Sequence, residues 1–142
     1  MALHLVQGPA GSGKSQTVAE MVEAGEVEVV ADTTRLWVAL GLYERGPDGR
    51  YPVRVDDDPA LAVALYAQGV AVRRGLDEGA DVAVTTSRRG QETRWRLVAE
   101  AAGTSLRVRT VDPGEDVVRA RLAEPDGSFS EACERAIGRW YQ

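Results

Sequence analysis

The sequence predicts an α/β three-layer sandwich, with a mainly parallel sheet of four to five strands covered by helices on both faces. Three observations carry that prediction. Short apolar runs alternate with helical stretches along the whole chain, the order that produces right-handed crossovers between parallel strands. Glycine follows several of the helical stretches, where a left-handed residue closes a helix. The early runs are apolar nearly throughout, as strands buried on both faces require, whereas Leu106 to Val111 alternates strictly and so marks a sheet edge with one wet face.

The elements follow in order. Leu3 to Gln7 is a short buried strand, and after glycine-rich punctuation a helix runs from about Lys14 to Ala24, closed by Gly25. Val27 to Ala31 is the second strand. Asp32 is then an N-cap for a short helix through Leu40, closed by Gly41. Residues 42–58 hold Gly46, Pro47, Gly49 and Pro52 and read as a long loop facing a substrate or partner. Asp58-Pro59 caps a long helix on which Leu61, Leu65, Val72 and Leu76 recur at helical spacing to about Asp77. Asp81 to Thr85 is the third strand, Gln91 to Ala102 a helix, and Leu106 to Val111 the fourth strand. Asp112-Pro113-Gly114-Glu115 reads as a capping box opening a helix from Pro113 to about Ala123, and Ser128-x-x-Glu131 as another. On the last helix Phe129, Cys133, Ile137 and Trp140 share one face, so the C-terminus packs onto the domain.

Composition bounds the function. With 142 residues, 44% hydrophobic and 27% charged, residues 1–142 fit a single folded domain with its own core. A net charge of -5 argues against tight non-specific nucleic-acid binding, which depends on accumulated Lys and Arg. The longest nearly apolar stretch, about Pro59 to Ala67, is far short of the ~20 residues a membrane helix needs. One cysteine, Cys133, allows no internal disulfide and no cysteine-based zinc site, which fits the reducing cytoplasm.

The sole lysine, Lys14, lies in the segment Gly8-Pro9-Ala10-Gly11-Ser12-Gly13-Lys14-Ser15, which matches the phosphate-loop pattern Gly-x-x-x-x-Gly-Lys-Ser/Thr between a strand and a helix. Glycines let successive N–H groups turn inward around a phosphate, and the helix adds its positive N-terminal end. Lys14 then reaches the β/γ oxygens of ATP or GTP, Ser15 is the candidate ligand for Mg2+, and Thr17 on the first helical turns joins the binding set. The expected ligand is therefore a nucleoside triphosphate with magnesium, bound at the carboxyl edge of the sheet where Gln7, Asp32, Thr85 and Val111 lie.

With this motif and with Asp32-Thr33-Thr34-Arg35 after the second strand, the chain resembles the P-loop NTPase superfamily, in its polynucleotide-kinase and zeta-toxin-like branch with the small AAA-type ATP-binding domains. The resemblance spans most of the chain. It implies that Asp32 is the acceptor base and that Arg35 contacts the acceptor. A carboxylate beside an attacking hydroxyl and a cation holding it suit that chemistry independently, while a plain N-cap with an exposed arginine is the other reading. Val82-Ala83-Val84-Thr85-Thr86-Ser87 resembles the third strand of these kinases, with Thr85 where an aspartate usually helps hold the magnesium shell. Val117 to Leu122 resembles the approach to the lid, here residues 119–130, which makes Arg121, and with it Arg119, the candidate lid arginines; a solvated helix face is the alternative.

Other features have plainer readings. His4 is a packed strand residue. Asp56-Asp57-Asp58 is a helix start complementing the dipole. Arg88, Arg89, Arg94 and Arg96 are a solvated face near the active edge or a docking point for a phosphorylated end. Trp37, Tyr43 and Tyr51 are core packing or a stacking surface for a base. Two functions follow: a kinase transferring the γ-phosphoryl group to a small-molecule or nucleic-acid hydroxyl, or a nucleotide-binding switch with weak hydrolysis acting on a protein partner.

Overall fold

A computed structural model describes residues 1–53 and 59–142, so the expectations for Asp56, Asp57 and Asp58 fall outside the described residues. In chain order the elements are β1 (Leu3–Gln7), α1 (Lys14–Glu23), β2 (Val29–Ala31), α2 (Thr33–Ala39), α3 (Pro59–Asp77), β3 (Val82–Thr86), α4 (Glu92–Ala101), β4 (Leu106–Thr110), α5 (Glu115–Leu122) and α6 (Glu131–Tyr141). Among the described residues the sheet has four strands in the order β2-β3-β1-β4, and each pairing is parallel.

The pattern of burial explains that order. β1 and β3 carry the most continuous apolar sequence and occupy the centre, with Leu3, Leu5, Val6, Val82, Ala83 and Val84 fully buried. β4 is the alternating strand and lies at the edge, with Arg107 to Thr110 exposed. On one face, Leu3, Leu5, Val82 and Val84 pack with Val72 and Leu76 of α3 and with Trp95 and Ala99 of α4. On the other, Val6 and Ala83 pack with Val18 and Met21 of α1. Truncating one of the buried strand leucines to Ala costs about 2–5 kcal/mol.

Parallel register delivers the carboxyl ends of the strands together: Gln7 stands beside Thr86 on one side and Thr110 on the other. α2 follows β2 after a single residue, so Asp32 sits at the same edge.

Two helix starts differ from the sequence pattern. The segment from Asp112 forms no capping box, and α5 begins at Glu115 after Gly114 in a left-handed φ of 105°. Asp112 is occupied elsewhere: it accepts from the Gly114 amide at 3.0 Å, from Trp140 Nε1 at 3.2 Å and from the Tyr141 hydroxyl at 2.5 Å. A carboxylate so engaged ties the end of α6 to the β4–α5 turn. α6 is capped by Ser130, whose hydroxyl accepts from the Cys133 amide at 3.2 Å, rather than by Ser128, which bonds Asp126 in the preceding turn. Cys133, Ile137 and Trp140 are buried as the shared face predicts.

Candidate functional site

The turn from β1 into α1 is built by glycine. At Gly8 a Cβ would collide with the Val111 carbonyl and with Ser12 Oγ, and Gly13 holds φ 103°, a conformation that L side chains rarely adopt. With the chain turned this way, the first N–H groups of α1, which have no intrahelical acceptor, point out of the helix end beside Lys14 and Ser15. They face a cleft of about 540 Å³ that reaches from the loop to Asp32, Trp37, Thr85 and Arg121.

Lys14 folds back on the loop, with Nζ donating to the Gly8 carbonyl at 2.9 Å and the Pro9 carbonyl at 2.8 Å. Desolvation pushes its pKa from the ordinary 10.5 down to about 8, and the negative charge of Asp32 opposes part of that fall. A site that desolvates its own ammonium favours an anionic ligand, which would restore the charged form. Ser12 Oγ is buried without a hydrogen-bond partner among the described residues, a polar atom left over by the tight turn.

The Asp32 carboxylate is turned away from its own helix. It occupies the N-cap position of α2, yet its side chain makes no capping bond. Instead Oδ2 accepts from Ser15 Oγ at 2.9 Å and Oδ1 accepts from Thr85 Oγ1 at 2.8 Å, with Asp32 only 3% exposed. Thr85 Oγ1 in turn accepts from the Thr33 amide at 3.3 Å, so the threonine hydroxyl bridges the first turn of α2 and the Asp32 carboxylate. Arg35 Nε lies 3.9 Å from Asp32 Oδ2, a loose ion pair in which the carboxylate is buried and the arginine, half-exposed, stands outside the cleft lining. Thr17 is likewise outside the lining, its hydroxyl donating back to the Gly13 carbonyl at 3.1 Å.

Arg121, on the last turn of α5, donates from one guanidinium nitrogen to the carbonyls of Gly11 and Ser12, each at 3.1 Å. This fixes the end of α5 on the phosphate loop. Arg119 instead lies near Glu115 and Glu134, at 3.9 Å and 3.7 Å, with its guanidinium over Phe129. Trp37, Tyr43 and Tyr51 form a wall on the opposite side, with both ring pairs 5.0 Å apart between centroids, and Trp37 and Tyr43 are buried in a small cluster with Ala64. Among the flagged arginines, Arg88 and Arg94 line the cleft; Arg89 lies outside it, against Trp140, and Arg96 beside Glu92.

Two residues of the site escape sequence reading. Gln68, 1% exposed, donates from Nε2 to the carbonyls of Ala31 at 2.8 Å and Thr85 at 2.9 Å, joining the ends of β2 and β3 behind Asp32. Its signal was a polar residue on the apolar stripe between Leu65 and Val72. Arg50, in the long loop, grips the carbonyls of Arg121 and Ala123, and no local pattern announces it.

Residues 3–141 match the AAA domain family. No protein with a curated description matches the sequence. The fold is similar to a chain of the Pnkp1/Rnl/Hen1 RNA repair complex, at 14% identity and a TM-score of 0.68 over 98% of this chain and 43% of that one. It is also similar to a provisionally assigned kinase from Chloroflexus aurantiacus, at 12% identity and a TM-score of 0.69 over 96% and 76% of the two chains. A gluconokinase from Sinorhizobium meliloti shares 17% identity and a TM-score of 0.56 over 99% and 75%. This chain therefore spans less than half the length of the RNA-repair chain it matches. With a family match running almost from end to end, the chain belongs to the AAA domain family.

Proposed function

We propose that the protein is a cytoplasmic phosphotransferase that binds ATP or GTP at residues 8–15 and passes the γ-phosphoryl group to a hydroxyl acceptor lying between Asp32 and the loop of residues 42–58. The observation that carries this reading is the direction of the Asp32 carboxylate. An aspartate at an N-cap position that leaves its helix uncapped and turns instead to Ser15 at the mouth of the phosphate loop is suited to act on a ligand there.

On this reading each residue has a role. Lys14 leaves the loop carbonyls for the β/γ oxygens, the exposed N–H groups of α1 hold the phosphates, and Arg121 swings from Gly11 and Ser12 onto the transferring group as residues 119–130 close. Asp32 takes the acceptor's proton, and Arg35, which stands outside the cleft lining beside Asp32, turns in to hold the acceptor. Ser15 Oγ, with the Asp32 carboxylate at 2.9 Å, is an oxygen pair suited to Mg2+ and its water shell. When bound, that ion neutralises phosphate charge.

The test is transfer from γ-labelled ATP and GTP to a panel of hydroxyl acceptors that includes RNA ends and gluconate, the acceptor types suggested by the similar proteins. Label appearing on an acceptor with wild type and disappearing with Asp32→Asn supports the reading. The second reading, a nucleotide-dependent switch for a protein partner, is favoured by Thr85, which supplies a hydroxyl where related kinases place a carboxylate. It predicts nucleotide binding with no labelled acceptor.

A further inference from the structure

Three segments that the proposed reaction needs are physically linked, and Arg50 is the link. The turn at residues 46–50 is closed by the Gly46 amide donating to the Arg50 carbonyl at 2.7 Å and the Gly49 amide donating to the Gly46 carbonyl at 2.9 Å. Asp48 aims the arginine: it accepts from the Arg50 amide at 3.0 Å and from Arg50 Nε at 3.1 Å. The two terminal nitrogens then donate to the Arg121 carbonyl at 2.7 Å and the Ala123 carbonyl at 3.1 Å.

Those carbonyls belong to the last turn of α5 and the residue that caps it, where acceptors lack intrahelical donors and the helix dipole favours a cation. A planar fork meets them with two parallel N–H groups, which a lysine cannot do. The same last turn carries Arg121, whose side chain holds the Gly11 and Ser12 carbonyls. Leu122, its neighbour, packs close beside Gly11. The chain of contacts therefore runs from the long loop through Arg50 to α5, and through Arg121 to the phosphate loop.

Beside Arg50 the same loop is fastened to Trp37 through two of its own tyrosines. Tyr51 stacks on Tyr43, and Tyr43 meets Trp37 edge to face. A molecule seated against that wall would press on the residue next to Arg50.

We infer that Arg50 is a positioning residue: by holding the carboxyl end of α5 it keeps Arg121 at the phosphate loop, so that the loop walling the acceptor side governs the nucleotide side. The inference rests on the phosphotransferase reading for its functional meaning, and the link itself is independent of it.

The experiment has two readouts. In the ligand-free protein, amide hydrogen exchange is compared for wild type, Arg50→Ala and Arg50→Lys. Arg50→Ala is expected to speed exchange severalfold across residues 119–123 and also across residues 10–13, which Arg50 does not touch, with Arg50→Lys in between. Titration with a fluorescent ATP analogue then compares Arg50→Ala, Arg121→Ala and the double variant. Loss of a charged hydrogen-bonding group costs on the order of tenfold in affinity, so Arg121→Ala is expected to weaken binding about tenfold and Arg50→Ala severalfold. The double variant should be no weaker than Arg121→Ala alone, because Arg50 acts through Arg121. Unchanged exchange across residues 10–13 in Arg50→Ala overturns the inference, as do effects on affinity that multiply in the double variant. A wild type that binds no nucleotide overturns the phosphotransferase reading alone, and exchange across residues 10–13 then still decides the role of Arg50.

Discussion

Replacing Lys14 by Met should make the ligand-free protein more stable at neutral pH, with an advantage that vanishes in alkali. Lys14 has its pKa lowered from 10.5 to about 8. Below pH 8 the side chain is charged in both folded and unfolded chains, and the fold carries the whole cost of holding the ammonium in the loop. Between pH 8 and 10.5 the folded chain releases its proton while the unfolded chain keeps it, so stability rises with pH; above 10.5 both are neutral and the contribution is flat. At ~1.4 kcal/mol per pH unit the full swing over this shift is at most about 3.5 kcal/mol, a ceiling because the side chain keeps some contact with solvent. Met removes the charge and also the two bonds to the Gly8 and Pro9 carbonyls, which offsets about 1 kcal/mol each. The net gain at pH 7 is then on the order of 1 kcal/mol.

Urea unfolding of wild type and Lys14→Met at pH 7 and pH 10 measures this. Other alkaline titrations, including Tyr141, whose pKa desolvation and then the hydrogen bond to Asp112 push up to about 12, cancel in the difference between variants. A stability difference that stays constant from pH 7 to pH 10 would refute the claim that the loop desolvates this lysine. Saturating ATP should reverse the ranking at pH 7, since only wild type gains the binding contribution.

Four further outcomes are expected. Asp32→Asn should lower phosphoryl transfer by about a hundredfold or more, measured with labelled nucleotide, and should depress the Lys14 pKa further by removing the charge that supports it. Thr85→Asp would set a second carboxylate at hydrogen-bonding distance from Asp32, so unfolding experiments should show stability lost as pH rises through the range where both ionise, with Mg2+ recovering part of it. Gln68→Leu leaves the Ala31 and Thr85 carbonyls without their buried donor and should cost about 2–4 kcal/mol in denaturant unfolding; a loss under 0.5 kcal/mol would mean that water replaces the amide there. Gly8→Ala should abolish nucleotide binding in a fluorescence titration, because its Cβ meets the Val111 carbonyl.

What the sequence by itself determined is local. A run of apolar residues, a glycine where the backbone must turn left-handed and a periodic helix face are written in neighbouring residues, so the alternation of strands and helices, the phosphate loop and the edge position of β4 were legible there. The capping boxes show the limit of such patterns. Asp112 has the right spacing to cap α5, but Trp140 and Tyr141 compete for it, and they are fixed by the docking of α6. The contacts within the site were decided by tertiary structure for the same reason. Asp32 meets Ser15 and Thr85 across 17 and 53 positions, Gln68 reaches Ala31 across 37, and Arg50 reaches Arg121 across 71. Parallel register brings the strand ends to one edge whatever side chains they carry. A hydrogen bond, however, is made only when donor and acceptor come within about 3 Å at a favourable angle, and that distance is set by the packed fold and not by spacing along the chain.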